Sequence, residues 1–130
     1  MPTVEAEIRF TLPNTGWAPH AARRHIGRTL AVLDLPHCGE LAGDLVEELV
    51  VNAQRFTGQA PTLRLLVGDA VRVEVADPDP TPVRFAETVE EIPLGAGIGL
   101  AVVADQSDRY GCDPVAAGKR VWFELDRARG

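Results

Sequence analysis

The sequence predicts an α+β two-layer sandwich, with a mixed, mainly antiparallel sheet and its helices on one face. Three observations carry this. Strand-like alternation opens the chain, two long helical repeats follow it, and a tight hairpin and two closing strands surround one further helix. The order β-α-α-β-β-loop-α-β-β has more strands than helices and lacks the regular βαβ alternation of a parallel sheet.

Each element has its own signal. Val4, Ala6, Ile8, Phe10 and Leu12 alternate with polar residues, the pattern of a half-buried strand. Pro13-Asn14-Thr15-Gly16 is turn chemistry. Pro19 suits a first helical turn, where its missing N–H is no loss. Ala22, Ile26, Leu30 and Leu33 then recur at helical spacing until Leu35-Pro36. A second helix is expected from about Gly39 to Phe56, ended by Thr57-Gly58-Gln59-Ala60-Pro61. Thr62–Val67 and Val71–Ala76 read as an antiparallel hairpin around Gly68-Asp69-Ala70. Prolines at 78, 80 and 82 break regular structure, and Pro78 to Pro93 reads as a long loop. A glycine cluster opens an apolar helix running to about Gln106. Arg109–Cys112 and Arg120–Leu125 are the closing strands, around a Pro114–Gly118 turn.

Composition bounds the function. The 130 residues, 45% apolar and 25% charged, form one globular domain spanning residues 1–130. A net charge of −6 argues against a nucleic-acid partner. An anionic ligand would have to be held by local devices: backbone N–H groups, a helix N-terminus or a metal. No apolar run is long enough to cross a bilayer, and the first residues lack a basic-then-apolar leader pattern. Cys38 and Cys112 stand far apart without a CxxC pattern, which suggests two reduced thiols in a cytoplasmic protein.

Three features carry chemistry. On the second helix, Leu41, Ala42, Leu45, Val46, Leu49, Val50, Ala53 and Phe56 make one broad apolar face. Asn52 projects inside that arc, and Glu48, one turn earlier, lies at its edge. A buried amide needs partners, and a carboxylate beside it is unfavourable unless it binds something. The plainer alternative is a solvated Glu48 and a locally bonded Asn52. On the second hairpin strand, Val71, Val73 and Val75 share the inward face, and parity places Asp77 there too. Asp77 is then either a turn cap or a functional acid. Finally, Gly95-Ala96-Gly97-Ile98-Gly99-Leu100 precedes a helix, where glycines let backbone N–H groups approach a phosphate. A Rossmann motif would need a strand directly before these glycines, and a Walker A motif would need Ser or Thr after Gly118-Lys119, where Arg120 stands. Neither HRD nor DFG of the protein kinases occurs.

Taken in order, a Glu-x-x-x-Asn helix, a strand-end Asp and a long loop closing on GxGxGL resemble the GHKL (Bergerat-fold, histidine-kinase-like) ATPases. The resemblance is closest to the anti-sigma-factor serine/threonine kinases, in particular their short actinobacterial ATP-binding regulatory members. Glu48–Ala53 looks like the family's N box, Val73–Pro78 its G1 box and Gly95–Leu100 its G2 box. Gly118–Leu125 resembles the closing strand, and Ala21-Ala22-Arg23-Arg24 a stretch of the first helix. The resemblance implies ATP and Mg2+ as cofactors. Asn52 would hold the magnesium, Glu48 would be the general base, and Asp77 would accept a hydrogen bond from the adenine amino group. Gly95, Gly97, Gly99 and Leu100 would belong to the ATP lid and the helix start around the phosphates. It further implies a kinase that phosphorylates a serine on an anti-sigma antagonist, sequesters a sigma factor, and is open to homodimerisation. A non-catalytic, ATP-binding or nucleotide-free protein-interaction switch of the same fold is the alternative.

Two positions depart from the family. Asp77-Pro78-Asp79-Pro80 lacks the glycines that usually follow this Asp, and Arg120 stands where a Thr near the adenine is common. His20, His25 and His37 have no metal spacing and suit surface or helix-end roles. Trp17 and Trp122 suit core or edge packing, Glu87–Glu91 a solvated loop face, and Arg23, Arg24 and Arg28 a solvated helix face.

Overall fold

Alternation in the five strands resolves into one sheet with two unlike faces. The computed structural model describes residues 4–85 and 99–128. In chain order the elements are β1 (Val4–Phe10), α1 (Ala18–Val32), α2 (Pro36–Thr57), β2 (Thr62–Gly68), β3 (Ala70–Asp77), α3 (Gly99–Gln106), β4 (Arg109–Val115) and β5 (Gly118–Asp126). The strands lie in the order β1-β2-β3-β5-β4, and every neighbouring pair is antiparallel. The architecture is therefore α+β, a sheet backed by three helices among the described residues, and the sheet is antiparallel throughout rather than mixed.

The inner face is apolar because each strand places its β-branched and aromatic residues there at period two. Leu63, Leu65 and Val67 of β2, Val71, Val73 and Val75 of β3, and Val121, Phe123 and Leu125 of β5 are all buried. Ala42, Leu45, Val46, Leu49, Val50 and Ala53 of α2 meet them, with Ala18, Ala22, Ile26 and Leu30 of α1 completing one core. α1 crosses α2 closely: a Cβ on Gly39 would lie 3.7 Å from Gly27 Cα, so small residues set the separation. Arg23 of α1 ties the two helices on the solvent side through an ion pair with Asp44, so it is not merely solvated.

The outer face is charged. Arg64 Nε donates to Glu74 Oε1 at 2.6 Å, and Arg72 Nε donates to Glu74 Oε2 at 2.7 Å. Arg72 Nη1 continues to Glu124 at 3.0 Å, and Arg109 joins Glu124 at 2.6 Å. The Arg72 guanidinium also stacks 3.9 Å from the Trp122 ring centroid. Glu74 is 4% exposed, and a carboxylate that buried is tolerable because two guanidiniums satisfy it.

Several details differ from expectation, each for a local reason. α2 begins at Pro36 rather than near Gly39, since proline is preorganised for a first turn. α1 ends in a Schellman arrangement with Asp34 at φ 62, Leu35 N bonding Leu30 O at 2.7 Å and Asp34 N bonding Ala31 O at 3.1 Å. β4 continues through Pro114 to Val115, because β4 is an edge strand and proline there forfeits no ladder bond on its open side. Trp17, expected to pack, is 70% exposed at the start of α1. The glycines Gly95 and Gly97 and the acidic run Glu87–Glu91 lie outside the described residues.

Candidate functional site

Inward parity delivers Asp77 to the end of the valine row of β3, as the sequence anticipates. Its side chain is 2% exposed, and it faces a second ionisable group that sequence reasoning passed over, Lys119 of β5, 4% exposed. Lys119 Nζ donates to Asp77 Oδ1 at 3.0 Å and to the Asp79 carbonyl at 2.9 Å. Asp77 Oδ1 also accepts the Asp79 N–H at 2.9 Å, an Asx turn that starts the proline-rich loop. Asp79 repeats the motif by accepting Thr81 N–H at 3.0 Å, and this backbone bond foremost holds its carboxyl below the ordinary value. Asp77 is thus both a turn cap and a buried acid. Both of its bonds end on Oδ1, and Oδ2 has no partner among the described residues.

Signal for Lys119 was present in the chain. Val121, Phe123 and Leu125 face inward, so the same parity carries Lys119 inward, and it pairs in register with Asp77. That parity also corrects the reading of Arg120. Expected near Asp77 from the resemblance, Arg120 instead lies on the outer face, its Nε 3.4 Å from Glu74 Oε1. Gly118 begins β5 at φ +150, and a Cβ there would sit 2.0 Å from the Asp77 carbonyl oxygen. Only glycine lets the two chain segments meet this closely.

α2 brings the second group of residues. It packs against β3, the strand that ends at Asp77, and against α3, the helix that begins at Gly99. Glu48 and Asn52 follow one another by a helical turn, and both are half-buried. Among the described residues, neither side chain has a hydrogen-bond or ion-pair partner. Leu100, in the first turn of α3, packs against the core, and Val103 one turn later is fully buried.

The donor set fits magnesium in one specific sense. Mg2+ takes oxygen ligands and commonly uses one or two from protein, leaving the rest to waters and substrate phosphates. Asn52 offers one such oxygen. No group of three or more His, Cys, Asp or Glu able to hold a metal occurs among the described residues. Of the histidines, His25 stacks on Phe10 at 4.8 Å and His37 Nε2 bonds the Arg127 carbonyl at 2.7 Å; both are structural contacts.

Shallow clefts of about 430 and 210 Å3 occur on the outer face, bordered by Arg72 and Arg109 and by Arg9 and Arg120 respectively. Neither is lined by Glu48, Asn52 or Asp77. Comparison with protein-family models and with curated proteins finds no match.

Proposed function

We propose that this chain is a GHKL-type ATP-binding domain that transfers a phosphoryl group from Mg-ATP to a serine hydroxyl on a small antagonist protein. The same reading makes it an anti-sigma-factor-like regulator, holding a sigma factor until the unphosphorylated antagonist displaces it. One observation carries the proposal. A single helix, α2, bears Glu48 and Asn52, which have no partner among the described residues, and packs against both the strand ending in buried Asp77 and the helix that begins at Gly99.

Each residue has a task in that chemistry. Asp77 Oδ2 accepts a hydrogen bond from an exocyclic amino group of the base. Gly99 opens α3, and Gly95 and Gly97 precede it in sequence; the N–H groups and dipole of a helix start would favour phosphate oxygens. Asn52 would contribute an oxygen ligand to magnesium, which would supply positive charge to offset the phosphates. Glu48 takes the proton from the serine hydroxyl as its oxygen bonds to the γ-phosphorus and the bond to ADP breaks. A net charge of −6 is compatible with this, because every contact to the polyanion is local.

Incubation with labelled ATP and candidate antagonist domains tests the proposal. Transfer to serine that falls by at least about 100-fold in Glu48→Ala supports it. No transfer, or transfer unaffected by Glu48→Ala, removes the kinase role.

A second reading is a non-catalytic nucleotide-binding switch of the same fold. It is favoured by the absence, among the described residues, of any group that orients Glu48. Nucleotide binding without transfer to any antagonist would select it.

A further inference from the structure

The buried Asp77–Lys119 pair is more elaborate than a turn cap requires. An Asx turn needs only the Asp79 N–H on Asp77 Oδ1, and that bond is present at 2.9 Å. Lys119 adds a fully desolvated ammonium to the same oxygen and, with a second N–H, grips the Asp79 carbonyl at 2.9 Å. Burying both ions is unfavourable and is repaid only by good geometry, so a buried pair at a turn is weak evidence for stability alone. Its geometric result is specific. One carboxylate oxygen is saturated by two donors, the loop after β3 is fixed in place, and Oδ2 is left as an acceptor with no partner among the described residues.

We infer that Lys119 is a positioning residue that makes the site selective for a 6-aminopurine nucleotide over a 6-oxopurine one, by holding Asp77 as an acceptor that offers only Oδ2. The inference rests on the reading of Asp77 as the residue that meets the base. An ionised carboxylate accepts hydrogen bonds and donates none. An amino group at the 6-position matches it, whereas a 6-oxo group sets acceptor against acceptor. Once the ammonium is removed, a buried carboxylate must find another counter-charge or take up a proton. A protonated carboxyl donates as well as accepts, so the 6-oxo base would no longer be refused.

The experiment measures binding of ATP and of inosine triphosphate, each with magnesium, to the full chain by calorimetry. Wild type is expected to prefer ATP by about 10-fold or more. Lys119→Met should bring the two affinities within about threefold, and Lys119→Arg, which restores the charge and donors, should recover the preference. A purely structural lysine would weaken both nucleotides in parallel and leave the ratio untouched, which would overturn the inference while sparing the Asp77 reading. If Lys119→Met does not fold, Lys119→Gln, uncharged but still a donor, replaces it with the same expectation. Equal binding of the two nucleotides by wild type, or binding of neither, would overturn both the inference and the reading beneath it.

Discussion

Gly118 lies against Asp77 so closely that a Cβ on it would stand 2.0 Å from the Asp77 carbonyl oxygen. At φ +150, the position is also one that L-residues rarely adopt. Gly118→Ala should therefore push β5 from β3 at the point where Lys119 meets Asp77. Urea unfolding is expected to show a loss of at least about 2 kcal/mol. Gly16→Ala, with open space around the added methyl, should change stability by less than about 0.5 kcal/mol.

The two faces of the sheet should separate cleanly in mutagenesis. Arg120→Thr restores the residue type common in the resembled family, yet Arg120 projects to the outer face beside Glu74. ATP affinity should change by less than about twofold, because the substituted side chain cannot reach the inner face without a slip in strand register. Glu74→Ala leaves Arg64 and Arg72 without their buried carboxylate and should lower stability by about 1–3 kcal/mol, again with little effect on nucleotide binding.

Acid should weaken the outer-face network in a defined direction. Burial pushes the Glu124 carboxyl up, but hydrogen bonds from Arg109 and Arg72 outweigh it and hold the group below its ordinary value of 4.5. A carboxylate with a depressed folded-state pKa contributes stability that is present above the ordinary value and is lost as pH falls through the folded one. Glu124→Gln should accordingly be less stable than wild type at pH 7. The gap should narrow as pH drops below about 4.5 in thermal melts of the two proteins.

Asn52 is expected to matter for the ion rather than for the fold. Its amide is half-buried and has no partner among the described residues, so Asn52→Ala should melt within about 1 kcal/mol of wild type. Wild type should bind ATP more tightly with magnesium than with a chelator, and Asn52→Ala should lose most of that difference. A magnesium effect of equal size in both proteins would remove Asn52 from the site.

Periodicity made much of this legible in the chain. The inward placement of Asp77 followed from Val71, Val73 and Val75, and the α2 arc from apolar spacing alone. Less legible were features that depend on pairing between distant segments. Lys119 and Arg120 are adjacent in sequence, and only the register of β5 against β3 decides which one reaches Asp77. Lysine is so commonly solvated that its type conceals a buried role until its partner is seen. Asp34 ended α1 in a conformation usually given to glycine, and Pro114 sat within a strand because that strand is an edge. Trp17 misled through its size: it is large and apolar, but it lies at a helix start with no inner surface to cover.

Calorimetric titration of Mg-ATP into wild type and Asp77→Asn decides whether Asp77 meets the base of a nucleotide. The amide keeps the size of Asp77 but loses the ionised acceptor that Lys119 holds. Wild type should bind one nucleotide per chain, and the variant should bind at least about 10-fold more weakly. Absence of binding in wild type, or equal affinity in the two proteins, would contradict it.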